Sequence, residues 1–258
     1  VVVNILGVPC KLEKIRNLCK KKNIILFEDN CESLGSEINN KKTGTFGDIS
    51  THSFFYSHHI STMEGGMALT DDFEIYCILK SIRAHGWARD LPKSKKNIQI
   101  DEKKRNLYKF LYPGYNVRPG ELNAAVGIEQ LKKLKNLEKI RIKNWKLFSR
   151  LFKNSKIFII QNTDHKNSSF AFTLILKKSS IKMKKKIFEI LKKNKIEYRM
   201  ITGGCITKHP YINHFKYEIF KSLPVANKAH RDGFFVGNAG IDLSIQIKKL
   251  HNLLENIK

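Results

Sequence analysis

The chain has 258 residues, of which 41% are apolar and 10% aromatic, enough for a packed core and too many for a disordered chain. It carries 48 Lys and Arg against 23 Asp and Glu, a net charge of +25, while no run of about 18 apolar residues is present to span a membrane. Five cysteines without a Cys-x-x-Cys pair exclude a disulfide framework and a zinc ribbon, and a reducing cytoplasm is the expected location. A field of this sign favours polyanions. The basic residues, however, are mostly lysines scattered among Asn and Ile, and the runs at 20–22 and 184–186 are not interleaved with aromatics or glycine. They read as solvated surface, and nucleic acid is not expected as a partner.

The first residues, Val1 to Leu6, read as a buried strand rather than a leader. Leu12, Ile15, Leu18 and Cys19 share one face of a helix over 12–22, and the apolar run 24–27 follows as a strand ending in Glu28-Asp29. Strand, helix and strand at this spacing form a βαβ unit of a parallel sheet, whose strand ends line a ligand crevice. Residues 43–48 form a turn, 49–55 a strand, 58–66 a loop with a Gly-Gly pair, 67–70 a strand and 73–84 a helix. A charged surface loop is expected over 88–106 and a turn at 113–116. A long helix spans 121–152, with a break expected near Asn136. Strands at 170–176 and 196–201 and helices at 182–194 and 243–257 make a second α+β unit. The domain boundary is placed inside or just after the long helix, near residue 152, giving domains 1–152 and 153–258.

Asp29 and Glu32 lie three apart after a strand, and Ser53 lies five residues before the pair His58-His59. Acid, hydroxyl and imidazole groups thus converge on one sheet edge. Taken alone, such groups serve as caps, core residues or surface residues as readily as catalysts.

The strings are more specific in combination. Residues 28–35 (EDNCESLG), 43–48 (TGTFGD), 53–66 (SFFYSHHISTMEGG), 83–87 (RAHGW), 113–119 (PGYNVRP) and 234–238 (FFVGN) run in order along nearly the whole chain. Together they resemble the DegT/DnrJ/EryC1/StrS family of nucleotide-sugar aminotransferases, proteins dependent on pyridoxal 5'-phosphate (PLP). The resemblance implies an α/β architecture of the PLP-dependent transferase fold type I. It has a mixed, mostly parallel sheet in a large domain and a smaller C-terminal α+β domain. It also implies that the first part of the large domain is absent from this chain, leaving unpaired strand edges and exposed apolar faces.

The family's roles transfer by position. Asp29 matches the acid that pairs with the cofactor's pyridine nitrogen, and Glu32 the residue beside the ring hydroxyl, more often Gln. Ser53 matches the hydroxyl that binds the cofactor phosphate. Asn116 matches a residue that reaches the phosphate of the neighbouring subunit, which implies a homodimer with a shared site. His85, in the Arg-Ala-His-Gly-Trp stretch, is a substrate-binding candidate. Where the aminotransferases carry the lysine that captures the aldehyde, this chain has His58. An imidazole cannot form that bond but moves protons near neutral pH.

This replacement matches the 3-dehydratase branch. It implies removal of the 3-hydroxyl from a nucleotide-linked 4-keto-6-deoxyhexose, a GDP-sugar being favoured, with L-glutamate as amino donor. PLP would pass through its amine form, pyridoxamine 5'-phosphate, with His58 as catalytic base. One relative in the branch holds an iron–sulfur cluster through four cysteines. Cys31 matches one of them, but Cys10, Cys19, Cys77 and Cys205 do not supply the spacing, so no cluster or other metal is expected. The alternatives are an inactive fragment or basic binding protein on the same fold, and an ordinary sugar aminotransferase.

Overall fold

A computed structural model describes residues 1–92, 108–161 and 165–257, so most of the loop expected over 88–106 lies outside the described residues. The strands in chain order are β1 (Val2–Val3), β2 (Phe27–Asp29), β3 (Glu37–Ile38), β4 (Lys41–Lys42), β5 (Ile49–Ser53), β6 (Gly66–Leu69), β7 (Phe158–Ile159), β8 (Ala171–Leu176), β9 (Arg199–Met200) and β10 (Gly233–Gly237). The helices are α1 (Leu12–Lys22), α2 (Phe73–Ile82), α3 (Glu121–Phe152), α4 (Ile181–Lys193), α5 (Pro224–Asp232) and α6 (Ser244–Glu255). The fold is α/β, as the motifs implied. Among the described residues no helix is long and apolar enough to cross a membrane.

The chain packs as two compact units. The first holds Val1–Asn4, Cys10–Leu34 and Lys41–Leu134; the second holds Ile5–Pro9, Gly35–Asn40 and the chain from Lys135 onward. Packing thus divides the chain within α3, whose Trp145, Phe148 and Phe152 belong to the apolar core of the second unit. The helix itself runs unbroken past Asn136. One asparagine costs a helix well under about 1 kcal/mol in propensity, too little to break it.

In the first unit the sheet order is β1-β2-β5-β6. β1 pairs with β2 and β2 with β5 in parallel, while β6 returns antiparallel to β5, so the sheet is mixed and mostly parallel. α1 supplies the crossover between β1 and β2. Asn23 closes it in the left-handed conformation (φ 51°), and Lys20, Lys21 and Lys22 occupy its last turn, where cations favour the helix dipole. Arg16 on α1 pairs at 2.7 Å with Asp48, whose other oxygen accepts from Leu26 N–H at 2.7 Å and so fixes the entry to β2.

Several expected strands, β1, β2, β5 and β9 among them, are shorter than the sequence pattern suggests. β1 stops at Val3 because Asn4 turns its side chain into a buried hydrogen-bond network and Leu6 adopts φ 53°. Ile24 and Ile25 are solvent-exposed ahead of β2. β6 forms an exposed edge of the sheet, with Met67 42% accessible.

The second unit has a fully antiparallel sheet, β7-β8-β10-β9. Its core is aromatic: Phe148, Phe152, Phe158, Phe172 and Phe234 are all fully buried, with Leu174, Ile187 and Leu254. Ser180 caps α4 by accepting from Met183 N–H at 3.1 Å. α5 and β10 have no counterpart in the sequence-derived elements. α5 is only nine residues long and basic, and Pro224 at its first turn marks its start.

At the junction of these two elements Asp232, with a side chain 3% exposed, is surrounded by Arg231, Lys228 and Ser179. The Arg231 guanidinium is the main cause of its carboxyl being held down to about 2. A depressed carboxylate adds stability above its unfolded value, near pH 4, and loses it as pH falls through the folded value. Asp232→Asn is therefore expected to remove on the order of 2 kcal/mol of stability at neutral pH. It should also flatten the loss between about pH 4 and pH 2. Urea unfolding across that window measures it.

Candidate active site

Strand alternation sends the acids at the end of β2 to opposite faces. Phe27 pairs with Ile49, Glu28 with Ser50 and Asp29 with Thr51, so Asp29, Thr51 and Ser53 share one face of the sheet, and Glu28, Ser50 and His52 the other. The second face is a closed polar interior. Glu28 is fully buried, and its carboxylate accepts from Gly44 N–H (2.6 Å), Phe46 N–H (3.1 Å), Gly47 N–H (3.2 Å) and Asn4 Nδ2 (3.0 Å). Asn30 extends the network, accepting from Asn4 and Ser33 and donating to the Thr43 carbonyl. Burial lowers the pKa of His52 beside it, which favours the neutral ring. Glu28 therefore holds the Thr43–Gly47 turn in place and does not line the crevice expected of both strand-end acids.

On the open face, Asp29 Oδ1 accepts from the main-chain N–H of Cys31 at 3.0 Å. The Cys31 thiol lies 3.8 Å from Thr51 Oγ1. Burial, reinforced by Asp29, pushes this thiol up to about 12, so it stays a neutral S–H. Glu32 follows in the same turn, half-buried. From β5, Ser53 Oγ accepts from Phe55 N–H at 3.2 Å, which leaves its own proton to donate elsewhere. His58 Nδ1 lies 2.8 Å from the Cys31 carbonyl oxygen, and its ring meets Phe55 edge-on at 6.3 Å. The turns after β2 and β5 thus meet at Cys31, bringing together Asp29, Glu32, Ser53 and His58.

The loop that carries His58 is tied at both ends. Phe54 N–H donates to Gly65 O at 2.9 Å and Thr62 N–H to Phe54 O at 2.8 Å. Asn123 on α3 then reaches across, its Nδ2 donating to the carbonyls of Thr62 (2.6 Å) and Glu64 (3.1 Å). In sequence Asn123 is merely a polar residue in a helix's first turn, and only the fold reveals what it holds. Asn123→Ala removes one donor from each of two carbonyls that keep a second, Glu64 N–H on Thr62 O and Thr62 Oγ1 on Glu64 O, and is expected to cost about 0.5–1.5 kcal/mol, read by chemical denaturation.

His85 and Asn116 form a second group. The segments around them pair antiparallel at Ala84–Asn116 and Trp87–Phe110, and His85 N–H donates to Tyr115 O at 2.7 Å. His85 and Gly86 both have left-handed backbones, φ 62° and 83°. A Cβ on Gly86 would sit 1.8 Å from Tyr112 O, so only glycine fits. Trp87 has His85 at 5.1 Å and the guanidinium groups of Arg89 and Arg118 at 4.2 and 5.8 Å. Arg118 also donates to Asn116 Oδ1 at 3.4 Å, which leaves the exposed Asn116 amide N–H groups for an acceptor. His59, adjacent to His58, is buried.

The donor set suits a phosphorylated pyridine cofactor. It offers a carboxylate on the open face for a ring nitrogen, a hydroxyl with a proton to give to a phosphate, and an imidazole where an amine would compete for an aldehyde. Among the described residues no three His, Cys, Asp or Glu side chains are placed to hold a metal ion.

Comparison with known proteins agrees. The model of the DegT/DnrJ/EryC1/StrS aminotransferase family matches residues 1–237. GDP-4-keto-6-deoxy-D-mannose 3-dehydratase of Escherichia coli O55:H7 is 43% identical over 256 residues, covering 98% of this chain and 66% of the relative. A solved GDP-4-keto-6-deoxymannose-3-dehydratase variant with bound GDP-perosamine superposes with a TM-score of 0.89 at 42% identity, covering 98% of this chain and 66% of the other. A second, with a trapped PLP–glutamate geminal diamine, gives 0.88 at 42% identity and the same coverage. The chain thus spans just under two thirds of the length of these relatives.

Proposed function

This chain belongs to the DegT/DnrJ/EryC1/StrS aminotransferase family, and from that premise we propose that it is a PLP-dependent nucleotide-sugar 3-dehydratase. Its substrate would be a nucleotide-linked 4-keto-6-deoxyhexose, with GDP as the favoured nucleotide, and L-glutamate its amino donor. The product is a 3-deoxy-4-keto sugar for deoxysugar and lipopolysaccharide-type assembly, made in the cytoplasm. One observation carries this reading: His58 stands five residues after Ser53, bonded to the turn that follows Asp29.

When bound, the cofactor supplies an electron sink that makes a neighbouring carbon acidic. The rest falls to the chain. Asp29 holds a proton on the ring nitrogen, because an anion there favours the cationic form. Ser53 Oγ gives its proton to a phosphate oxygen. Glu32 stands beside the ring hydroxyl. His58 takes the proton from the acidified carbon, and its imidazolium is then the acid at hand as the 3-hydroxyl departs as water. Asn116 reaches the phosphate in a second copy, which makes the working form a homodimer. His85 contacts the sugar.

Absorbance spectra of the purified chain with PLP, before and after L-glutamate, test the cofactor half of this reading. The aldehyde band is expected to give way to that of the amine. Bound PLP that glutamate leaves unchanged contradicts it.

A further inference from the structure

Two hydrogen bonds meet on the main chain of one residue. Cys31 N–H donates to Asp29 Oδ1 at 3.0 Å, and Cys31 C=O faces His58 Nδ1 at 2.8 Å. A carbonyl oxygen can only accept, so the proton of this bond must sit on Nδ1. A neutral imidazole has one N–H, and with Nδ1 protonated the lone pair is on Nε2. In water the opposite form, with the proton on Nε2, predominates, so the protein imposes this choice.

We propose that Cys31 is a positioning residue, whose main chain holds His58 as the Nδ1–H tautomer and makes Nε2 the atom that takes and returns the proton. The same residue ties the orientation of the base to that of Asp29. Its side chain supports this role. The thiol packs against Thr51 on the adjoining strand and stays a neutral S–H, which fixes the turn that presents the carbonyl. The inference rests on the dehydratase reading only for the reaction that the proton serves.

The test is nitrogen-15 NMR of the histidine-labelled chain near pH 8.5, with His58 assigned by difference from His58→Gln. A pyrrole-type Nδ1 and a pyridine-type Nε2 are expected; a protonated Nε2 overturns the proposal. Chemical rescue of His58→Gly separates positioning from mere presence of a base. Imidazole and 4-methylimidazole can donate to the Cys31 carbonyl, whereas 1-methylimidazole cannot. The first two are expected to restore dehydration about tenfold better, the worth of one hydrogen bond. Equal rescue by all three overturns the positioning role. A chain with the Nδ1–H signature but no dehydration keeps this proposal and removes the dehydratase reading. Dehydration by a chain with Nε2 protonated does the reverse.

Discussion

His58→Lys is expected to reduce dehydration by about 10²–10⁴-fold, the usual worth of a positioned general base. The substitution does more than remove the base. A lysine amine at this place can capture the aldehyde cofactor, which an imidazole cannot. The recaptured cofactor is then diverted toward amino transfer, and the 3-hydroxyl stays on the sugar. His58 also bonds to the Cys31 carbonyl, and a flexible ammonium cannot reproduce the flat ring held there. Steady-state turnover with a nucleotide 4-keto sugar measures the effect. Dehydration left within a few-fold of wild type removes His58 from the chemistry.

Glu28→Ala is expected to be the most destabilising single change in the first unit. The carboxylate is fully buried and accepts four donors, three of them main-chain N–H groups of the Thr43–Gly47 turn. Each buried donor left without an acceptor costs about 1–3 kcal/mol, more where the partner was charged. The costs are not fully additive, but a total of about 4 kcal/mol or more follows. Glu28→Gln keeps one acceptor oxygen and turns an amide N–H toward the remaining donors, so it should recover less than half of the loss. Asp29 is the next residue on the strand, so cofactor affinity should fall together with stability. Urea denaturation of both variants provides the check; a midpoint unchanged by Glu28→Ala means that the turn does not depend on this carboxylate.

The elements legible in the sequence are those with a strong local signal. α1 spans 12–22 as its apolar spacing suggested, although Leu18 of the expected face is exposed, and β8 agrees with the run beginning at Phe170 to within one. α5 and β10 were not legible because their partners are remote: β10 pairs with β8 some sixty residues earlier, and α5 shows only a short basic pattern. At the site, the period-2 rule was enough to separate Glu28 from Asp29, but proximity in sequence suggested that both line the crevice. The buried donors that claim Glu28 lie 16 to 24 residues away and leave no local mark. Site roles for Asp29, Ser53 and His58 came from ordered motifs, since an acid, a hydroxyl and an imidazole are individually commonplace. The Asn123 latch and the Cys31 strut had no sequence signal at all, because both act through main-chain carbonyls.

The most direct test of the dehydratase reading is the product formed from GDP-4-keto-6-deoxymannose with PLP and L-glutamate. The reading predicts a sugar that has lost its 3-hydroxyl and kept its 4-keto group, with ammonia released in equal amount. A 4-amino sugar that retains the 3-hydroxyl, with no ammonia, contradicts it and makes the chain an aminotransferase that works without the usual lysine.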